Sequence, residues 1–190
     1  MNFKITLGVA VVICTLVSIE SITLPASGLE PTYVPHSEHM YVPKSGSENL
    51  IQAPHGIDID TSGNIYISDS NNFIEKFDSN GKFITKWGSN GTGNGQFLHP
   101  HDVAVDPSGF VYVGDYYIPN IQKFDSNGKF ITKWGSKGNG DGKFNHNHYI
   151  AVDSSGSVYE ADRDNGYFQK FDSNGKFITK WGSKGNDGPR

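Results

Sequence analysis

The sequence predicts an all-β protein made of three tandem units, each folded into four short antiparallel strands. The string FDSNGKFITKWGS occurs three times without change, so Trp87, Trp134 and Trp181 recur every 47 residues. The 190-residue chain contains 23 glycines and 13% aromatic residues, a composition that favours short strands and tight turns over helices. Repetition at such a period is typical of architectures that stack one supersecondary unit on the next.

The second unit shows the strand pattern most clearly. Apolar and polar residues alternate there, which predicts strands at 102–105, 110–114, 121–124 and 130–134. The turn sequences DPSG and DSNG follow the first and third strands. Asp bonds its own backbone in such turns, and Gly supplies the positive φ that a hairpin needs. Four antiparallel strands in about 47 residues predict a β-propeller blade.

The first 28 residues differ from the rest of the chain. Lys4 precedes an uncharged apolar run at 5–19, and Ala26-Ser27-Gly28 offers small residues suited to signal peptidase. The run is shorter than the ~20 apolar residues that span a bilayer, so residues 1–28 are predicted to be a signal peptide. We therefore expect a secreted or cell-surface protein with no membrane span after cleavage; an uncleaved segment would anchor it.

The rest of the chain divides into a linker and the repeats. Residues 29–49 carry three prolines and are predicted to be an extended linker, with a lone strand at 40–42 as an option. Residues 50–190 form the repeat region. Its three predicted blades lie at about 50–95, 96–142 and 143–190.

A family resemblance rests on the amino-acid sequence of the second unit. It reads PHDVAVDPSGFVYVGD, followed by IQKFDSNGKF and WG, and looser copies begin at Pro54 and Asn147. These strings resemble the NHL repeat over about residues 50–185. The resemblance implies a six-bladed β-propeller, of which this chain carries three NHL-type blades. A blade buries its faces on its neighbours, so the incomplete ring is either open, part of a longer array, or completed by a second chain as a 3 + 3 homodimer.

Histidine recurs at one position in all three units, directly before the predicted first strand. These residues are His55, His101 and His148, with His99 and His146 two residues before the last two. The first strand of a blade lines the central channel, so the rings are expected to converge. Neutral imidazoles suit zinc, which makes His55, His101 and His148 candidate metal ligands. The alternative is that duplication copied them and that they only hydrogen-bond neighbouring loops.

The second and third units also resemble the catalytic propeller of peptidyl-hydroxyglycine amidating lyases. The resemblance lies in the strings PHDVAV, DYY and ADRDNG. It implies zinc held by channel histidines, here His55 and His148, with Tyr117 as the base and Arg163 as its electrostatic partner. Asn147 stands where the lyase motif has proline.

Aromatic residues recur in the loops after the second strand of each unit. They are Phe73, Tyr116, Tyr117 and Tyr167. Aromatics on one rim predict a ligand-contact surface.

A formal charge of −4 leaves no broad basic face, so no nucleic-acid partner is expected. We predict an exported binding module for a protein, peptide or carbohydrate, with a zinc-dependent carbon–nitrogen lyase as the alternative.

Overall fold

The computed structural model describes residues 51–183, which form twelve β-strands and contain no helix, so no helix in this range could cross a membrane. The strands are β1 Pro54–Ile59, β2 Ile65–Asp69, β3 Phe73–Phe77, β4 Phe83–Trp87, β5 Pro100–Val105, β6 Val111–Asp115, β7 Ile121–Phe124, β8 Phe130–Trp134, β9 Asn147–Val152, β10 Val158–Asp162, β11 Tyr167–Phe171 and β12 Phe177–Gly182. The predicted signal peptide, and the linker with its optional strand, lie outside the described residues.

The strands form three antiparallel sheets, each joining four consecutive strands in chain order. We call them blade 1 (β1–β4), blade 2 (β5–β8) and blade 3 (β9–β12). This confirms the predicted all-β fold of propeller blades. In blade 2 the third and fourth strands have the predicted bounds, whereas the first begins two residues earlier and the second is shifted by one residue.

The turn between β7 and β8 shows why the repeated DSNG string makes a hairpin. The Asp125 carboxylate accepts hydrogen bonds from the backbone N–H groups of Asn127 and Lys129 at 2.9 and 3.0 Å. Gly128 donates its N–H to the Asp125 carbonyl and has a φ of +84°, which favours glycine. The same bonds form around Asp78 and Asp172 in the other blades.

The first strands of the blades lie side by side, with β1 against β5 and β5 against β9. Carboxylates on these strands join the blades. Val105 donates its backbone N–H to Asp58 at 2.8 Å, and Ile150 donates to Asp102 at 2.7 Å. This contact sets the inner edge of the blade stack.

Two apolar cores fill the spaces between the blades. The core between blades 1 and 2 consists of Tyr66, Ile74, Phe97, Val103, Val111, Val113 and Phe124. The core between blades 2 and 3 consists of Ala104, Tyr112, Ile121, Phe144, Ile150, Val158 and Phe171. The side chains of both cores come from two different sheets, so neither core exists without two stacked blades.

The repeated tryptophan packs on the next blade. The Trp87 ring centroid lies 5.9 Å from that of Phe124, and a Cβ added to Gly128 would come within 2.5 Å of the Trp87 ring. Trp134 makes the same contacts with Phe171 and Gly175 of blade 3. The hairpin glycine is therefore needed for its missing side chain as well as for its φ.

Two glycine-to-alanine variants separate the need for a positive φ from the need for space beside the tryptophan ring. Gly109 has a φ of +83°, and its nearest neighbour would lie 3.8 Å from an added Cβ. Gly128→Ala adds the same backbone strain plus the Trp87 clash, so we expect it to lower the free energy of unfolding by about 1–3 kcal/mol more than Gly109→Ala. Urea unfolding measures both; equal losses would contradict the packing of Trp87 on Gly128.

Glu160 is an ionisable residue at a position that is apolar in the other two blades. It occupies the position of Ile67 in blade 1 and Val113 in blade 2, and its side chain is 1% exposed. Neither carboxylate oxygen finds a hydrogen-bond partner within residues 51–183. Burial, with repulsion from Asp162, raises the pKa of Glu160 to about 9. The folded protein therefore holds this group protonated at neutral pH.

This raised pKa predicts how stability depends on pH. The folded state binds a proton that the unfolded state releases above its ordinary pKa of 4.5, so stability falls as the pH rises from there towards about 9. Glu160→Gln should remove that fall and raise the free energy of unfolding at pH 7.5 by about 1–3 kcal/mol. Urea unfolding between pH 5 and about 9 measures it; a variant with the wild-type pH slope would contradict the assignment.

Candidate functional site

Five histidines and two tyrosines converge at one end of the first strands. Neighbouring ring centroids lie 4.5–5.9 Å apart. We call this cluster the histidine–tyrosine rim; it consists of His55, His99, His101, His146, His148, Tyr116 and Tyr117. The predicted convergence of the repeated histidines is therefore seen, and Tyr116 and Tyr117 join them.

Tyr116 lies at the centre of the rim. Its ring stacks on His146 at 4.5 Å with an interplanar angle of 17°, and it meets His148 edge-on at 5.2 Å. Tyr117 packs edge-on against Tyr116 at 5.0 Å and is itself 61% exposed. The half-buried Tyr116 holds the rings together, while Tyr117 offers its face to solvent.

Asp115, at the end of β6, positions this part of the rim. Its carboxylate is buried and accepts four backbone hydrogen bonds. Two come from Leu98 and His99, ahead of β5, at 2.7 and 2.9 Å. The other two come from Tyr117 and Ile118 at 2.8 and 2.9 Å. One side chain thus ties the histidine-bearing segment to the tyrosine loop.

Sequence reasoning missed the role of this aspartate. The same position holds Asp69 in blade 1 and Asp162 in blade 3, and both accept backbone hydrogen bonds from the segment before the first strand. The signal was present, because each unit ends its second strand on Asp in the strings ISD, VGD and EAD. An aspartate at the end of a strand reads as ordinary turn chemistry until its partners are known.

The surroundings of two rim histidines, His55 and His148, favour the neutral form of the ring. Burial lowers the pKa of His55, and the neighbouring His101 and His99 lower it further. Burial also lowers the pKa of His148, followed by the effects of His101 and Arg163. His55 and His148 are therefore harder to protonate than a free imidazole.

Hydrogen bonding orients one of these rings. His101 Nδ1 lies 2.9 Å from the backbone carbonyl of His148, which can only accept, so Nδ1 carries the proton. His148 Nε2 is buried without a hydrogen-bond partner among residues 51–183.

Among the three candidate metal ligands, the His101 ring contacts both of the others. His101 lies between His55, at a centroid distance of 4.8 Å, and His148, at 4.9 Å. Across residues 51–183, no three His, Cys, Asp or Glu side chains form a group that could hold a metal ion. As placed, these residues do not fit a zinc site, and the site stays a prediction.

Arg163 lies in the exposed turn between β10 and β11. Its neighbour Asp164 bonds His146 Nδ1, and this bond holds the pKa of Asp164 below its usual range. Arg163 also borders an open groove of about 540 Å³ whose walls include Tyr149 and Trp181. We call this the blade 3 groove.

The other two predicted ligand-contact aromatics begin the third strands of their blades. Phe73 begins β3 and has the Lys86 ammonium 4.8 Å from its ring centroid. Tyr167 begins β11, lines the blade 3 groove and has Lys180 at 5.1 Å. The rim residues Tyr116 and Tyr117 follow β6 directly, whereas these two start the third strand.

Known proteins resemble parts of this chain. The family model DUF5128, described as a 6-bladed β-propeller, matches residues 44–113. The rat (Rattus norvegicus) peptidylglycine alpha-amidating monooxygenase is 36% identical over 81 residues, which cover 39% of this chain and 8% of that protein. The matched stretch is therefore a small part of the rat enzyme.

Three solved structures share the blade arrangement at 16% sequence identity. A streptogramin B lyase superposes with a TM-score of 0.54 over 67% of this chain and 40% of its own. A dihydro-haem d1 dehydrogenase gives 0.53 over 70% and 29%, and a candidate exported protein from Bacteroides fragilis gives 0.57 over 75% and 41%. This chain thus spans less than half of each structure. At this identity the match shows the fold alone, and that fold is the β-propeller, which the family model describes as six-bladed.

Proposed function

We propose that this chain is an exported binding module of NHL-type blades whose ligand, a protein, peptide or carbohydrate, contacts the histidine–tyrosine rim. The convergence of seven rings at one end of the blades is the observation that carries the proposal. Export is supported by the apolar run at 5–19 and by the fold shared with the candidate exported protein from Bacteroides fragilis.

The chemistry of the rim suits a ligand with both apolar and polar groups. Tyr117 is 61% exposed, and its backbone N–H and that of Ile118 both donate to the buried Asp115 carboxylate, so this loop needs little ordering on binding. The imidazoles beside it offer ring nitrogens for hydrogen bonds. Rigid aromatic faces with hydrogen-bonding neighbours are typical of interface hot spots.

A pair of variants tests where ligands bind. Ligands are selected from a random-peptide display library and a glycan array on the immobilised full chain. Tyr117→Ala should weaken their binding at least about tenfold, because it removes the exposed ring, a loss of about 1.4 kcal/mol. The matched control is Ile131→Ala, which removes a 44% exposed side chain from the outer strand β8.

Titration of each selected ligand against the three proteins by calorimetry gives the affinities. Ile131→Ala should bind as the wild type does. Ligands that bind Tyr117→Ala as tightly as the wild type would place the binding surface elsewhere and overturn the proposal.

A second candidate function is a zinc-dependent lyase that cleaves peptides ending in α-hydroxyglycine. The similarity to the rat amidating enzyme favours it, as does the contact of the Tyr117 ring with His99. Against it, no three His, Cys, Asp or Glu side chains within residues 51–183 form a group that could hold a metal ion.

Glyoxylate release from an α-hydroxyglycine peptide, measured with added zinc, decides between the two functions. If the chain is a lyase, Tyr117→Phe should lower the rate by about 10²–10⁴-fold, since it removes the proton acceptor. Arg163→Lys should lose less than Arg163→Gln, because it keeps the charge. A wild-type rate no higher than that of zinc alone would rule out the lyase.

A further inference from the structure

We propose that the outer faces of blades 1 and 3 bind each other in a second copy of this chain, so that two chains close one six-bladed ring through two identical interfaces. We call the outer face of blade 1 the front face and that of blade 3 the back face. Each face carries one half of the contact that is already made twice inside the chain. The proposal does not depend on which ligand the rim binds.

The front face exposes residues whose counterparts are buried. Ile57 is 63% exposed and Ile59 57% exposed. The residues in the position of Ile57 are Val103 in blade 2, 2% exposed, and Ile150 in blade 3, 7% exposed. The difference arises because blades 2 and 3 have a preceding blade to cover this face and, within residues 51–183, blade 1 has none.

The back face shows the complementary half. Phe168 is 44% exposed, whereas Ile74 and Ile121, at the same position in blades 1 and 2, are fully buried. Trp181 is also 44% exposed and stacks on Phe168 at 5.0 Å. Both rings lie on the side of the sheet that the next blade covers elsewhere in the stack.

On each end face, one residue of the tryptophan–glycine contact lacks its counterpart from a neighbouring blade within residues 51–183. A Cβ on Gly128 would lie 2.5 Å from Trp87, whereas a Cβ on Gly81, the equivalent glycine of blade 1, would meet nothing within 4 Å. Gly81 is exposed, and its φ of +76° matches that of its counterparts. In a closed ring, Trp181 of one copy would lie on Gly81 of the other.

A hydrogen bond from a lysine to a backbone carbonyl of the next blade follows the same pattern. Lys76 donates from Nζ to the carbonyl of Ser126 at 3.1 Å, and Lys123 donates to Ser173 at 2.8 Å, each time on the next blade. Lys170 on the back face is the next lysine in this series. The equivalent carbonyl is that of Ser79 on the front face, and Ser79 is exposed whereas Ser126 and Ser173 are half-buried.

The blade 3 groove marks where one more side chain fits. Phe97 and Phe144 are fully buried, each against the glycine that follows the fourth strand of the preceding blade. The equivalent glycine of blade 3 is Gly182, which lines the groove of about 540 Å³. Ile51, three residues before β1 as Phe97 is before β5, is 37% exposed. The front face of a second copy would bring Ile51 into this groove.

A twofold axis lets two such contacts close one ring of two chains. Three blades are half of the six-bladed ring that the family model describes, so a twofold rotation joins front to back at both seams. A head-to-tail contact that closes gives a discrete dimer, whereas one that does not close gives filaments. In the closed ring the rims of both copies would surround one channel.

Sedimentation velocity of the purified full chain tests the proposal. The wild type should sediment with the mass of two chains. Gly81→Ala should raise the dissociation constant of the dimer at least about tenfold, because its methyl group meets the partner's indole while meeting nothing in its own chain. Trp181→Ala should do the same by removing that indole.

Gly109→Ala is the matched control, since it adds a methyl group at a φ of +83° away from both end faces and should stay dimeric. Circular dichroism checks that each variant is folded. An equimolar mixture of Gly81→Ala and Trp181→Ala should recover dimer, because one of its two seams then has an intact glycine and an intact tryptophan.

Three results would overturn the proposal: a wild type with the mass of one chain at every concentration, a mass that grows without limit, or a Gly81→Ala dimer as tight as the wild type. A wild type that stays monomeric while it still binds ligand at the rim would overturn this proposal alone and leave the proposed function standing.

Discussion

The stacking of one blade face on the next is the constraint on which the rest of the structure depends. Each sheet is only four strands wide and has apolar side chains on both faces, so no blade buries its own core. A ring such as Trp87 is covered by Phe124 and Gly128 of the neighbouring blade, and burying such a ring contributes about 1.5–3 kcal/mol. The fold is therefore stabilised between sheets more than within them.

The same stacking builds the site. Because first strands lie side by side, a histidine copied into every unit arrives next to its own copies. The aspartate that ends each second strand then ties the entry segment of the blade to the following loop, as Asp115 does for His99 and Tyr117. Duplication alone thus produces a crowded cluster of imidazoles, in which burial and neighbouring histidines lower the pKa of His55 and His148.

The repeated string made the fold predictable, since alternation and DSNG turns are local signals that also set the third and fourth strands of blade 2. Convergence of the histidines followed from the repeat as well. What could not be predicted depends on contacts between blades: the geometry that sets His101 between its neighbours, the four bonds of Asp115, and the burial of Glu160. Phe73 and Tyr167 lie at the starts of third strands, and their contact with a ligand stays a prediction.

Amide hydrogen exchange of the full chain at low and high protein concentration tests most directly whether every blade face is covered by another. If two chains close one ring, β2 and β3 of blade 1 and β10 and β11 of blade 3 should exchange as slowly at high concentration as β6 and β7 of blade 2. On dilution the two outer blades should lose protection before the middle one. Protection that is lower in blades 1 and 3 than in blade 2 at every concentration would contradict the account.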